Sequence, residues 1–211
     1  MEIKLIELSG FVSCFNTLRK PHKLENRSEG HFCVVNPREV GTQYQVMSIA
    51  SSISICNKDL ELLQKLIKAG DEHAKALRLI DVTLEINGPL YFWNEMDTYE
   101  IGVTNGCSES TMHTLKKEKL TDSHFERPVG EFTLNGLQKL IDDDFSIDVI
   151  KGALPSGYLQ KRDIKISYQT LQRIYKQRST HRLDVWRQFC EFIKTLPLSN
   201  ELIIMANENT K

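Results

Sequence analysis

Alternating apolar and polar positions predict two β-strands in the first half of the chain. In residues 2–8 an apolar side chain recurs at nearly every second position, which is typical of a strand with one buried face. Residues 78–86 alternate in the same way and are rich in branched side chains, so they predict a central strand that ends at Asn87-Gly88. Residues 20–45 contain prolines, glycines and polar side chains, and they predict a long irregular loop.

Apolar residues at three- and four-residue spacing predict that the remaining regular structure is helical. A capping residue near position 57, Gly70 after the first helix and Pro89 at the start of a later one mark the ends of these segments. Residues 97–130 show little periodicity and predict a second long surface segment, lining a site. The predicted helices are residues 57–69, a short one from residue 72, residues 89–96, 132–141, 168–177 and 183–193.

The order of these elements predicts a single α+β domain over residues 1–211, with a polar tail at about 205–211. The alternation of helices and strands is too irregular for a doubly wound parallel sheet. A chain of this length buries roughly 70% of its unfolded surface, so we expect it to need neither disulfides nor a metal for its core.

Composition and charge exclude several classes of protein. The formal net charge of -1 argues against a general nucleic-acid coat, although basic residues cluster in 161–187. The five cysteines form no CxxC pair, which is the usage of reduced thiols in a cytosol. No signal peptide is recognised, and no apolar run approaches the roughly 18 residues that a membrane helix requires. We therefore expect a cytoplasmic protein that binds neither membranes nor nucleic acids directly.

Common catalytic motifs do not occur in the sequence. It contains no phosphate-binding glycine loop, dinucleotide fingerprint, HExxH or GxSxG. The six histidines lack metal-ligand spacing, and the run Asp142-Asp143-Asp144 favours a solvated helix end because successive side chains diverge. Cys107 has no adjacent base, and a lone cysteine is usually inert. No metal site and no protein nucleophile are predicted.

Three segments occur in an order that indicates a family. The first is Glu72-His73-Ala74 shortly before the predicted central strand, and the second is the Pro89–Met96 helix that leads into a loop. The third begins at Leu154-Pro155 and continues into two consecutive helices, with Arg178 ending the first and Arg187 in the second. Together these segments resemble the flavin-dependent thymidylate synthases, more in order and spacing than in identity.

The resemblance, over about residues 60–195, implies an activity, an assembly and a set of site residues. Members of the family transfer one carbon to the base of dUMP with FAD, reduced nicotinamide and methylene-folate, so an active chain would be a methyltransferase. They form homo-oligomers, by resemblance tetramers, with sites between subunits. The resemblance assigns the nucleotide to Arg178, Arg187, Ser108 and Ser110, and the cofactor region to His73 and Tyr99.

The family's Arg-His-Arg signature, which contacts the flavin, is missing. This chain has Asp97-Thr98-Tyr99 in its place. A carboxylate and a phenol in place of two cations would leave flavin phosphates facing an anion, so we expect weak FAD binding or none. Lysines in the following segment could compensate for the lost cations. These are Lys116, Lys117 and Lys119.

Two classes of function follow from this pattern. One is a diverged enzyme that binds a pyrimidine deoxynucleotide and transfers one carbon to it, and the other is a non-catalytic, phage-encoded protein that binds or sequesters the nucleotide. A break near Ser179-Thr180, with Thr180 capping the second helix, would aim Arg178 and Arg187 at one phosphate. The alternatives are two solvated surface arginines, an exposed capping role for His73, and a protein-interaction module on the old scaffold.

Overall fold

The computed structural model describes residues 1–20, 57–117 and 119–205. The predicted loop at 20–45 and most of the polar tail therefore lie outside the described residues. The strands are β1 (Glu2–Ser9), β2 (Asp81–Pro89), β3 (Val103–Ser108) and β4 (Leu159–Ser167). The helices are α1 (Phe11–Arg19), α2 (Asn57–Ala69), α3 (Leu90–Met96), α4 (Thr111–Thr114), α5 (Glu131–Asp142), α6 (Ile147–Ala153), α7 (Tyr168–Arg178) and α8 (Asp184–Lys194), with further helical turns at Lys75–Leu79, Asp122–His124 and Asn200–Ile204.

The four strands form one antiparallel sheet in the order β1-β2-β4-β3. Strands β2 and β4 pair along their whole length, from Asp81 opposite Ser167 to Pro89 opposite Leu159. Alternate side chains of β2, among them Val82 and Leu84, are fully buried, whereas their neighbours are partly exposed. One face of the sheet therefore packs on the core, and the predicted α+β fold is confirmed.

Aromatic side chains from α3, α7 and α8 fill the main core. Phe92 contacts Trp186 with ring centroids 4.8 Å apart, and both side chains are fully buried. Phe92 and Trp93 both point inward, so two of the three adjacent aromatic side chains of α3 belong to the core. A second, smaller core beneath α5 and α6 includes Leu137 and Ile150.

Several predicted boundaries are wrong, and the strands β3 and β4 and the helices α1, α4 and α6 were not predicted. The central strand begins at Asp81 because residues 75–79 form a 3-10 turn, which also replaces the short helix expected from residue 72. Strand β4 buries only two of its apolar side chains, Ile164 and Ile166, among charged neighbours, so its pattern is weak. The segment 97–130 includes β3, whose VTNGCS sequence has almost no apolar pattern and is held by backbone pairing to β4.

Gly10 provides a test of how β1 and α1 are joined. Its φ is +93°, and a Cβ atom there would lie 1.6 Å from the carbonyl oxygen of Leu79. We expect Gly10→Ala to lower the free energy of unfolding by at least about 2 kcal/mol, because the backbone must shift. Gly136→Ala is the matched control, since nothing lies within 4 Å of its Cβ position and it stands inside α5.

The control should leave stability unchanged or raise it by about 0.5–1 kcal/mol. Urea unfolding followed by circular dichroism measures both variants. Equal stability of the two alanine variants would contradict the packing described for this turn.

Candidate functional site

Arg178, the last residue of α7, is bound by side chains from two other parts of the fold. Its Nη1 donates to Glu95 Oε2 at 2.7 Å and its Nε donates to the Tyr99 hydroxyl at 2.9 Å. The guanidinium carbon lies 4.5 Å from the ring centroid of Trp186, at cation–π distance. Glu95 Oε2 also accepts a hydrogen bond from Trp186 Nε1 at 2.8 Å. One carboxylate on α3 therefore holds both α7 and α8.

His181 lies in the linker between α7 and α8, and both Arg178 and Arg187 contact it. Arg178 Nη1 is 2.9 Å from His181 Nε2, and since an arginine can only donate, this contact needs an unprotonated nitrogen. Arg187 Nη1 donates to the carbonyl oxygens of His181 and Arg182 at 2.7 and 2.9 Å. The predicted break between the helices is confirmed, and it brings the two arginines to one linker.

The predicted capping role of Thr180 is wrong. Helix α8 begins at Asp184, and Leu183 occupies its N-cap without a side-chain bond. Asp184 in the first turn instead accepts hydrogen bonds from Arg187 and Gln188, each at 2.7 Å. These hydrogen bonds lower the pKa of the Asp184 carboxyl, so it is ionised at neutral pH. The start of α8 thus presents a carboxylate beside Arg187.

Both candidate phosphate-binding arginines have carboxylate partners. Glu95 neutralises Arg178, whose side chain is 19% exposed, and Asp184 neutralises Arg187, which is 44% exposed. Each guanidinium retains one nitrogen, Nη2 of Arg178 and Nε of Arg187, with no hydrogen-bond partner among the described residues. An anion could bind these nitrogens, but it would compete with Glu95 and Asp184 for the positive charge of the two guanidinium groups.

The segment that replaces the basic triplet does not fit flavin phosphates. Both Asp97 carboxylate oxygens accept from Arg162 Nη1, at 3.2 and 3.1 Å, and the Arg162 guanidinium lies 4.7 Å from the centroid of the Trp93 ring. The Tyr99 hydroxyl donates to Gln177 Oε1 at 2.7 Å while accepting from Arg178. The triplet position therefore offers a paired carboxylate and an occupied phenol, and no cation.

The other predicted site residues do not join this cluster. His73 lies exposed in the turn after α2, with Glu72 3.7 Å away, and no contact links it to Tyr99 within the described ranges. Ser108 ends β3 opposite Arg162, and Ser110 precedes α4, where its carbonyl accepts from Thr114. In this part of the chain neither serine contacts Arg178 or Arg187.

Three residues of the cluster were missed in the sequence. Glu95 is a lone acidic residue in the apolar helix α3, and that position is the signal by which it could have been found. Trp186 lies within the predicted helix 183–193, but the apolar pattern of that helix does not indicate that its indole nitrogen donates to Glu95. His181 lies in a linker with no pattern, and nothing in its spacing identified it.

The lysines proposed as compensation lie elsewhere on the surface. Lys116 pairs with Asp144, and Lys116, Lys117 and Lys119 line an open groove of about 700 Å³ beside α5. None of them contacts Asp97 or Tyr99 where the structure is described. The described residues contain no group of three or more His, Cys, Asp or Glu side chains that could hold a metal ion. None of the described helices is both long and apolar enough to cross a membrane.

Comparison with known proteins shows which solved structures share this fold. No protein-family model and no curated protein matches the sequence. Thymidylate synthase X from Helicobacter pylori, solved with FAD and dUMP, matches 99% of this chain and 100% of its own with a TM-score of 0.72 and 16% identity. A second structure of that enzyme with the same ligands gives a TM-score of 0.71 at 17% identity, covering 98% and 99% of the two chains.

A different enzyme has a related architecture. The UMP/dUMP methylase PolB from Streptomyces cacaoi, bound to 5-Br dUMP, covers 95% of this chain and 93% of its own with a TM-score of 0.58 and 11% identity. At these identities the likeness shows the fold. This chain therefore has the fold of the flavin-dependent thymidylate synthases, and the resemblance read from the sequence is confirmed at that level.

The misfit at Asp97 and Tyr99 predicts weak flavin binding. Each lost charge-assisted hydrogen bond contributes roughly 1.5–3 kcal/mol, so we expect the purified protein to lack stoichiometric FAD. The Asp97→Asn variant should bind added FAD more tightly than wild type, because it removes the carboxylate that neutralises Arg162 and leaves that cation available to the flavin phosphates. Asp163→Asn, an exposed acid on β4, is the control and should change nothing. Visible absorbance and flavin fluorescence titration measure both, and co-purification of one FAD per chain would contradict the misfit.

Proposed function

We propose that this protein binds a pyrimidine deoxynucleoside monophosphate. The observation that carries the proposal is the fold match, which spans nearly the whole chain and includes structures solved with dUMP or 5-Br dUMP. The resemblance in the sequence, found from different features, assigns the same class of ligand. Fold likeness alone does not transfer a ligand, so the proposal also needs residues that can recognise a phosphate.

Arg178 and Arg187 are the residues that we propose for the phosphate. Guanidinium groups bind phosphate oxygens through paired N–H donors, and these two flank the same short linker. Arg178 is held in place by stacking on Trp186, so little side-chain entropy is lost when it binds. The phosphate would displace Glu95 or share Arg178 with it, and the same holds for Asp184 at Arg187.

We propose further that the nucleotide binds without flavin. The paired Asp97 and the occupied Tyr99 favour a nucleotide-binding or nucleotide-sequestering protein over a flavin-dependent methyltransferase acting on dUMP. Assignments of Ser108 and Ser110 to the nucleotide, and of His73 to a cofactor, stay predictions. So do the homo-oligomeric state, a tetramer by resemblance, the cytoplasmic location and a phage source.

Calorimetric titration tests the nucleotide proposal. Wild type should bind dUMP, dTMP or dCMP in preference to the purine nucleotides. Arg178→Lys and Arg187→Ala should each weaken binding about tenfold or more, because each removes a charge-assisted or bidentate contact. Lysine is used at position 178 to keep a cation beside Glu95, and circular dichroism verifies the fold of each variant.

Lys68→Ala is the control. This lysine is exposed in the last turn of α2, and no contact links it to the linker between α7 and α8 in the described part of the chain, so its loss should leave nucleotide affinity unchanged. If wild type binds a nucleotide and all three variants bind it equally well, the phosphate lies elsewhere. If no pyrimidine nucleotide binds wild type, the proposed function is wrong.

A further inference from the structure

A cavity of about 180 Å³ lies at the opposite end of α7 from Arg178. It is bounded by the start of α7, the adjoining end of β4 and the loop before β3. Two cations, Arg78 and Lys165, line it together with the Ser167 and Thr170 side chains. We propose that this cavity is a second anion site, which binds a phosphate group.

Arg78 is held in position by a buried glutamine. Gln169 is 2% exposed, and its Oε1 accepts from Arg78 Nε at 2.6 Å while its Nε2 donates to the Asp71 carbonyl at 2.8 Å. The amide cannot turn without losing both bonds, so it fixes the Arg78 side chain at Nε. Nη1 and Nη2 of Arg78 have no partner in the described part of the chain. A positioned guanidinium with two open nitrogens matches the fork that binds phosphate.

The charges around the cavity favour an anion. Lys165 pairs with Asp81 at 3.3 Å, so the lining contains two cations and one carboxylate and has a net charge of +1. The N-terminus of α7, an 11-residue helix, adds the partial positive charge of the helix dipole, while its Tyr168 and Thr170 amides donate to the Ile80 carbonyl and the Ser167 hydroxyl. Arg178 lies at the C-terminus of the same helix, where the carbonyl groups oppose an anion. The helix dipole therefore supports anion binding in this cavity, whereas a phosphate at Arg178 has to be held by the guanidinium groups against the dipole.

The walls of the cavity are fixed by hydrogen bonds and by a glycine. The Thr170 hydroxyl donates to the Ile101 carbonyl at 2.7 Å, which attaches the loop before β3 to the helix start. Gly102 has a φ of +77°, and a Cβ atom there would lie 2.4 Å from Thr170 Oγ1 and 2.6 Å from Ser167 Oγ. Only glycine allows this approach, so the cavity has its shape before any ligand binds.

The size of the cavity limits its occupant. Sites that enclose a whole small molecule are roughly 300–1,000 Å³, which is larger than this cavity. It suits inorganic phosphate or the phosphate of a larger ligand whose remainder lies outside. The inference rests on the proposed function only in taking a nucleotide as one source of that phosphate.

Titration calorimetry at low ionic strength with inorganic phosphate, dUMP and deoxyuridine tests the site. Wild type should bind inorganic phosphate, and Arg78→Gln should weaken that binding about tenfold or more. Asp81→Asn should bind phosphate several-fold more tightly, because it removes the only carboxylate among the described lining residues. If Asp81 only stabilised the fold, its replacement would not raise the affinity for phosphate. Arg127→Gln, which removes an equal charge outside the cavity, should bind phosphate like wild type.

The outcomes separate this site from the proposed function. Equal phosphate affinity of wild type and Arg78→Gln, or no phosphate binding by wild type, overturns the second site even if dUMP binds through Arg178. The expected responses of Arg78→Gln and Asp81→Asn to phosphate support the site even if dUMP binds no better than phosphate, in which case the proposed function fails. Binding of deoxyuridine as tight as that of dUMP shows that the phosphate of the nucleotide does not contribute, and it counts against the proposed function alone.

Discussion

The arrangement of α3, α7 and α8 depends on the two hydrogen bonds that the Glu95 carboxylate accepts. This carboxylate accepts from Arg178 on α7 and from the Trp186 indole on α8, so three helices meet at one oxygen. Trp186 also packs on Phe92, one helical turn before Glu95, which places an apolar contact directly beside the polar one. Because the carboxylate is 32% exposed and its partners are more buried, its loss would leave buried donors without an acceptor.

The same device occurs a second time at the end of α3. Asp97 binds Arg162, and that guanidinium lies over Trp93 as Arg178 lies over Trp186. In each case an arginine lies over a tryptophan ring and is neutralised by a carboxylate. The two carboxylates, Glu95 and Asp97, are two residues apart in the sequence. The chain therefore has paired charges at the triplet position within a fold that it shares with structures solved with FAD and dUMP. Both arginines, Arg162 and Arg178, are thus paired with carboxylates of the chain itself.

Patterns with a strong apolar period allowed prediction of much of the fold. Strands β1 and β2 and helices α2, α5, α7 and α8 have clear periods, and the structure places them within a few residues of the predictions. Strands β3 and β4 were not predictable in this way, because backbone pairing with neighbours rather than burial of their own side chains holds β3 in place. Sequence periodicity reports burial, and it does not report a ladder of hydrogen bonds at a sheet edge.

The site was predictable only in part, for a related reason. Arg178, Arg187 and Tyr99 were identified by their places in the family order, and the structure joins Tyr99 to Arg178 and both arginines to the linker at His181. Their carboxylate partners were missed: Glu95 is 83 positions from Arg178 in sequence, whereas Asp184 is only three positions from Arg187. Electrostatic pairing between distant elements changes what an arginine can bind, and that information appears only with the three-dimensional structure.

The central claim is that Glu95 competes with a ligand phosphate for Arg178, and one variant tests it directly. Glu95→Gln keeps an oxygen acceptor for Trp186 and removes the charge that neutralises Arg178. The dUMP affinity of this variant, measured by calorimetry beside wild type, should rise about tenfold, since an ion-pair contact no longer has to be exchanged. Unchanged or weaker dUMP binding by a folded Glu95→Gln protein would show that Arg178 is a structural residue and does not bind the phosphate.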